Sequence, residues 1–237
     1  MQRRVRIGLT PPFKRLNAAL EAERAFAAES AHELRTPIAG ALAQLQLASQ
    51  NVSDPEASAN LDQSVSALQE LARLAENLLN ISRIEAGFAI SSTAHDIGPV
   101  LELVAKDFFG GEEDFLELNQ DRALVHMSPD AFAIVARNLI ANAKRYKTPG
   151  TKVSVTLNQS GLSVSNECDS IPQEHLEELK KRFDRGGRGE DGGTGLGLAI
   201  VENIAASIGG KLILESPRAD RADGFSATFK FDGGGKE

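Results

Sequence analysis

The 237-residue chain holds a single cysteine, Cys168. No internal disulfide can form, and a reducing compartment suits the chain better than an oxidising one. A long apolar run is also missing. No window approaches the roughly 18 consecutive apolar residues that a membrane-spanning helix needs, and nothing at the start resembles a signal peptide. Clustered positive charge is absent too. The formal net charge is -7 and the Lys and Arg residues are scattered, which argues against a face that binds nucleic acid through its phosphates. A hydrophobic content of 41% over this length supports one large or two modest folded domains. The chain by itself is expected to be soluble and cytoplasmic.

Residues 1–15 carry Arg3, Arg4 and Arg6 followed by Pro11-Pro12. They suit a membrane-proximal linker on the cytoplasmic edge of an upstream membrane segment, and an ordinary solvated terminus explains them equally well. Residues 16–92 are rich in Ala, Leu, Glu and Gln and break only at Ser49 to Glu56, which predicts a helical hairpin. In its second arm Leu61, Val65, Leu68, Ala72, Ala75 and Leu79 alternate in steps of 4 and 3, the rhythm of a supercoiled seam. The first arm repeats it at Ala27, Ala31, Leu34, Ile38, Ala41, Leu45 and Ala48. A second apolar line, Leu71, Leu74, Leu78 and Ile81, makes the face too wide for one partner helix. The expectation is a four-helix bundle built by two chains, with a tetramer or a cover from the second domain as alternatives.

From residue 93 to 237 glycine and β-branched residues rise and short alternating stretches appear, which predicts an α/β sandwich with a mixed sheet and helices on one face. Thr151 to Asn166 reads as two strands around a Ser160-Gly161 turn, and KLILES and GFSATFKF as later strands. Helices are expected near Pro129 to Tyr146, Pro172 to Phe183 and Leu196 to Ile208.

Three stretches carry chemistry. In AHELRTP, His32 shares a stripe beside the seam with Thr36, Gly40, Ala43 and Leu47, so its imidazole should face water. Pro37 cannot donate to the Glu33 carbonyl and disfavours helical geometry at Thr36, so the helix should bend just past His32. Glu33 can orient the ring or take its proton and expose a nucleophilic nitrogen. In ARNLIANAKRY, Asn138, Asn142 and Arg145 or Tyr146 share one helical face while Phe132, Val135, Leu139 and Ala143 supply the buried side. Two Asn one turn apart are poor helix formers; their amide oxygens suit a hard cation such as Mg2+, with Arg145 near phosphates and Tyr146 against a base. In GGTGLGLAIVENIAASIGG, Gly193, Gly195 and Gly197 lead straight into an apolar helix, so backbone N–H groups and the helix dipole can approach an anion. Neither a P-loop nor a dinucleotide fingerprint is satisfied. Upstream, Arg182, Arg185 and Arg188 lie in a Gly-rich stretch that suits a phosphate-contacting lid. Taken singly, each stretch has a plain explanation: an idle exposed His-Glu pair, a polar helix face, a surface loop.

Their order is specific. His-Glu-x-x-Thr-Pro, then Asn-x-x-x-Asn-Ala, then Gly-x-Gly-x-Gly opening a helix resembles the transmitter core of bacterial two-component sensor histidine kinases, from Leu16 onward. The resemblance implies a dimerisation and histidine-phosphotransfer domain, then an ATP-binding domain of the gyrase-type fold. It implies that His32 accepts a phosphoryl group from ATP and hands it to an aspartate of a response regulator. Glu33 would be the assisting base, and Thr36 would position a water when the partner is dephosphorylated. Asn138 matches the Mg2+ ligand, Asn142 the Asn lining the nucleotide, Arg145 a position usually held by Lys, and Tyr146 the aromatic beside the adenine. Phe183 matches the F-box, Arg185 the lid cation near the γ-phosphate, and Gly193, Gly195 and Gly197 the second glycine box.

One motif departs. Where the family reads Asp-x-Gly-x-Gly-Ile-Pro, this chain has Asn166-Glu167-Cys168-Asp169-Ser170-Ile171-Pro172, without the glycines or the Asp that meets the adenine amino group. Asn166 retains an amide acceptor for that bond. The departure keeps two alternatives open, a degenerate kinase acting mainly as a phosphatase and a nucleotide-binding dimeric scaffold; an ATPase that hydrolyses nucleotide to drive conformational change is a further rival.

Overall fold

The computed structural model describes residues 36–52, 54–85, 87–110, 116–180, 195–218 and 221–231. The chain divides into two compact units, Met1–Ala86 and Gly87–Glu237. The division falls before the boundary expected at 92/93, because strand β1 already begins at Ile90 and pairs within the second unit.

In the first unit, helix α1 covers residues 36–51 and helix α2 covers Pro55–Glu85. The break between them lies inside the stretch expected from Ser49 to Glu56. Along α2 the seam residues Leu61, Val65, Leu68, Ala72, Ala75 and Leu79 are all half-buried, while Leu71 on the second apolar line remains 50% exposed. Ile38 and Ile81 are buried. The outward stripe of α1 is as expected where described: Thr36, Gly40 and Ala43 are exposed, and Leu47 is 60% exposed.

The second unit runs β1 (Ile90–Asp96), α3 (Gly98–Phe109), β2 (Leu116–Gln120), β3 (Leu124–Met127), α4 (Pro129–Tyr146), β4 (Val153–Asn158), β5 (Gly161–Asn166), α5 (Gln173–Leu176), a 3-10 turn at Glu178–Lys180, α6 (Gly197–Ser207), β6 (Lys211–Glu215) and β7 (Phe225–Lys230). Strands β1 and β3 form a small antiparallel sheet. The main sheet has the order β2-β4-β5-β7-β6, with β2 and β4 parallel and the other pairs antiparallel. It is the mixed sheet that the alternating pattern implies.

Strand alternation separates the two faces of this sheet. Val153, Val155, Leu157, Leu162, Val164, Ala227 and Phe229 are buried, whereas Ser154, Thr156, Ser163, Ser226 and Thr228 on the other face are half-buried. Ser163 and Thr228 pair across that polar face through their hydroxyls at 3.0 Å. The apolar face is covered by helices: α4 packs on α3, α6, β4 and β5, and α6 packs on β6 and β7. Phe132 of α4 meets Phe231 at 6.4 Å between ring centroids, and Phe231 meets Phe229 edge-on at 5.7 Å, which ties the helix layer to the end of β7.

Helix α4 begins with a proline in its first turn, where the missing N–H costs nothing, and stops before Pro149. Its buried stripe is Ala131, Phe132, Val135, Ala136, Leu139, Ile140 and Ala143. Of the helix expected from Pro172 to Phe183, the described residues, which end at Lys180, form the single turn of α5 and the 3-10 turn after it. Only Leu176 is buried there, while Glu174, Glu177 and Glu178 face out, so no apolar stripe repays the cost of nucleating a longer helix.

Candidate functional site

Helix α4 presents Asn138, Asn142 and Tyr146, all half-buried, along the edge of its buried stripe, with Arg145 exposed beside them. The Asn138 amide donates through Nδ2 to the Ile134 carbonyl at 2.8 Å, so the donor end is spent within the helix and Oδ1 is left to face another partner. The Arg145 guanidinium lies 5.8 Å from the centre of the Tyr146 ring, within cation-π range.

The glycine loop enters this arrangement from α6. Gly195 has φ +64, in the left-handed region that side chains rarely adopt. Gly197, the first residue of α6, approaches α4 closely: a β-carbon there would stand 3.0 Å from Asn138 Oδ1. The second and third motifs, about sixty residues apart in the chain, therefore meet at one place. That place combines the N-terminus of an 11-residue helix with a carboxamide oxygen. Backbone N–H groups and the positive end of the dipole favour an anion; the carboxamide oxygen favours a hard cation.

Asn166 ends β5 in register with Val153 and Phe225, on the helix-covered face of the sheet. It is 1% exposed, and its Oδ1 has no hydrogen-bond partner among the described residues. A buried acceptor left unpaired costs about 1–3 kcal/mol, which a ligand donor can recover. Nδ2 of the same amide donates to the Glu167 carbonyl at 3.3 Å, and that carbonyl also accepts from the Thr148 N–H at 2.7 Å. Thr148 follows directly on α4, so Asn166 sits beside the end of the helix that carries Tyr146.

The departing motif is a held segment. The Glu167 carboxylate pairs with Arg221 at 2.5 Å, the Cys168 carbonyl accepts from the Gly224 N–H at 2.9 Å, and the Ile171 N–H donates to Ser216 Oγ at 2.8 Å. Contacts to residues 216–224 thus stand where the family pattern has glycines. Sequence reasoning overlooked these partners, and it overlooked Glu202 on α6, whose Oε2 is buried without a partner among the described residues. A lone carboxylate inside the apolar run LAIVENIAAS was the available signal.

His32, Glu33, Phe183, Arg182, Arg185, Arg188 and Gly193 lie outside the described residues. Thr36, at the start of described α1, is exposed. Among the described residues no group of three or more His, Cys, Asp or Glu side chains gathers as a metal site, and no helix is long and apolar enough to cross a membrane.

Comparison with known proteins agrees with both units. Residues 22–87 match the His Kinase A (phospho-acceptor) domain, and residues 127–234 match the histidine kinase-, DNA gyrase B- and HSP90-like ATPase family. The chain belongs to the bacterial sensor histidine kinases, as a transmitter core. Among its relatives, the swarming motility regulation sensor protein RssA of Serratia marcescens is 33% identical over 221 residues, covering 89% of this chain and 47% of RssA. The sensor protein QseC of Escherichia coli K12 is 30% identical over 200 residues, covering 81% of this chain and 44% of QseC. The chain thus spans about half the length of the curated relatives it matches. The structure of the Acinetobacter baumannii histidine kinase AdeS superimposes with a TM-score of 0.55 at 27% identity, covering 84% of this chain and 96% of that one. The ATPase match in a sensor histidine kinase core implies ATP binding by the second unit.

Proposed function

We propose that this core takes the γ-phosphoryl group of ATP onto His32 and passes it to an aspartate of a response-regulator receiver domain. The observation that carries the reading is the meeting of Asn138 with Gly197 in the ATPase unit, downstream of a phospho-acceptor segment that contains His32. The N-terminus of α6, with Gly193, Gly195 and Gly197, would receive the phosphates, and Asn142 would line the nucleotide. Arg145 and the lid cation Arg185 would neutralise phosphate charge, and Tyr146 and Asn166 would flank the adenine.

In the transfer, a ring nitrogen of His32 forms a bond to the γ-phosphorus as the bond from that phosphorus to the β,γ-bridging oxygen breaks. ADP leaves, and the imidazole proton passes to the Glu33 carboxylate. Positioning and charge neutralisation supply most of the acceleration in such transfers. Mg2+ would supply charge neutralisation at the phosphates. Asn138 fits that ion: its oxygen is the free end of the amide, and Mg2+ takes few protein ligands beside phosphates and water. Thr36 would position a water for dephosphorylation of the partner.

Two further surfaces support the reading. Exposed Gly40, Ala43 and Gln44 with Leu47 offer small and apolar positions on which the receiver domain can dock close to α1. Leu71, exposed beside a half-buried seam, fits a homodimeric bundle. The remaining half of the relatives' length would carry the sensor and an inner-membrane anchor, with this core on the cytoplasmic side. Incubation of the purified chain with γ-labelled ATP and Mg2+ tests the proposal: acid-labile label appears on the wild type and is absent from His32→Gln. Equal labelling of both would reject it.

A further inference from the structure

We propose that the connection between β6 and β7 sets the affinity for ATP from outside the site, with Arg221 acting through Glu167 as a positioning residue. The proposal rests on the nucleotide reading above and adds to it a part of the chain, the connection from Ser216 to Gly224, that none of the three motifs contains.

The connection is fastened to the segment after β5 at both of its ends. Ser216 is 7% exposed, and its hydroxyl accepts from the Ile171 N–H at 2.8 Å while donating to the Gly224 carbonyl at 2.8 Å. The Gly224 N–H donates to the Cys168 carbonyl at 2.9 Å. Gly224 has φ +88, and a β-carbon there would stand 2.9 Å from the Asn166 carbonyl oxygen, so the connection lies directly against the backbone of Asn166. Within it, the Arg221 N–H donates to the Arg218 carbonyl at 3.1 Å and the Arg218 N–H to the Asp223 carbonyl at 3.2 Å. Arg221 is thereby held in a closed turn.

Glu167 carries this fastening across to α4. Its carbonyl accepts from the Thr148 N–H at 2.7 Å and from Asn166 Nδ2 at 3.3 Å, and Thr148 follows shortly on Tyr146. Its carboxylate pairs with Arg221 at 2.5 Å. One residue therefore joins the β6–β7 connection to the chain on which Tyr146 and Asn166 stand. The side chains of Arg221 and Glu167 are 48% and 36% exposed, and an ion pair so exposed contributes little to stability. Breaking it leaves the ties at Ser216 and Gly224 in place. What changes is the position of Glu167, and with it the placing of Asn166 and Thr148.

The test measures labelling of His32 in the full 237-residue chain over a range of ATP concentrations in Mg2+ buffer, beside calorimetric titration with ATP and thermal unfolding without nucleotide. Arg221→Glu sets two carboxylates together and should weaken ATP binding and raise the half-saturating concentration about fivefold. The labelling rate at saturation should stay within about twofold of wild type, and the thermal midpoint within about 2 °C. Glu167→Arg, which sets two guanidinium groups together, should weaken binding to a similar extent. A general effect of charge on the polyphosphate would move these two variants in opposite directions. The exchanged pair, Glu167→Arg with Arg221→Glu, should return the affinity to within about twofold of wild type. Wild-type affinity in Arg221→Glu overturns the proposal, as do single variants that shift in opposite directions or an exchanged pair that stays as weak as either. Failure of wild type to bind ATP overturns the nucleotide reading itself.

Discussion

The side-chain oxygen of Asn138 lies 3.0 Å from the point where a β-carbon on Gly197 would stand. The Asn138 carboxamide is anchored by its 2.8 Å bond to Ile134, so a side chain at 197 displaces the amide from its place or pushes α6 away. Gly197→Ala is expected to weaken ATP binding about tenfold, the loss of one well-placed polar contact, with a thermal midpoint lowered by at most a few degrees. Calorimetric titration beside thermal unfolding checks this. Undiminished affinity would mean that the contact does not shape the site.

Dimerisation through α2 is testable at Leu71, which is 50% exposed in the single chain. Leu71→Glu puts a charge into the expected interface and changes helix propensity little. Light scattering at micromolar concentration should report a monomer for the variant and a dimer for the wild type. A dimeric variant would move the interface to another face of the hairpin.

The docking stripe makes a separable prediction. Ala43→Trp and Gln44→Trp enlarge exposed positions of α1, in the unit that does not carry the residues assigned to ATP. Labelling of His32 should proceed at the wild-type rate while transfer to the cognate receiver domain slows by at least tenfold, roughly the loss of one well-packed interface contact. Unchanged transfer would place the receiver elsewhere.

Much of this was legible in the sequence, for physical reasons. Helix α4 shows its buried stripe at helical spacing, and β4 and β5 alternate cleanly around a Ser-Gly turn, so local pattern alone defines them. Strand β1, with the sequence ISSTAHD, buries none of its residues fully and carries no such signal. Of the helix expected after Pro172, the described residues form a single α turn and a 3-10 turn in which only Leu176 is fully buried, a division that local pattern does not announce. The segment that follows β5 divides in the same way. The replacement at Asn166 was visible by position, but the pairing of Glu167 with Arg221 and of Cys168 with Gly224 joins segments more than fifty residues apart, beyond the reach of local periodicity.

The central claim is that His32 carries a phosphoryl group taken from ATP. 31P spectroscopy of the chain after incubation with ATP and Mg2+ tests it most directly, with His32→Gln prepared in parallel. The account predicts a phosphoramidate resonance that disappears on acidification and never forms in the variant. A chain shown by titration to have ATP bound, yet lacking that resonance at every magnesium concentration, would contradict it.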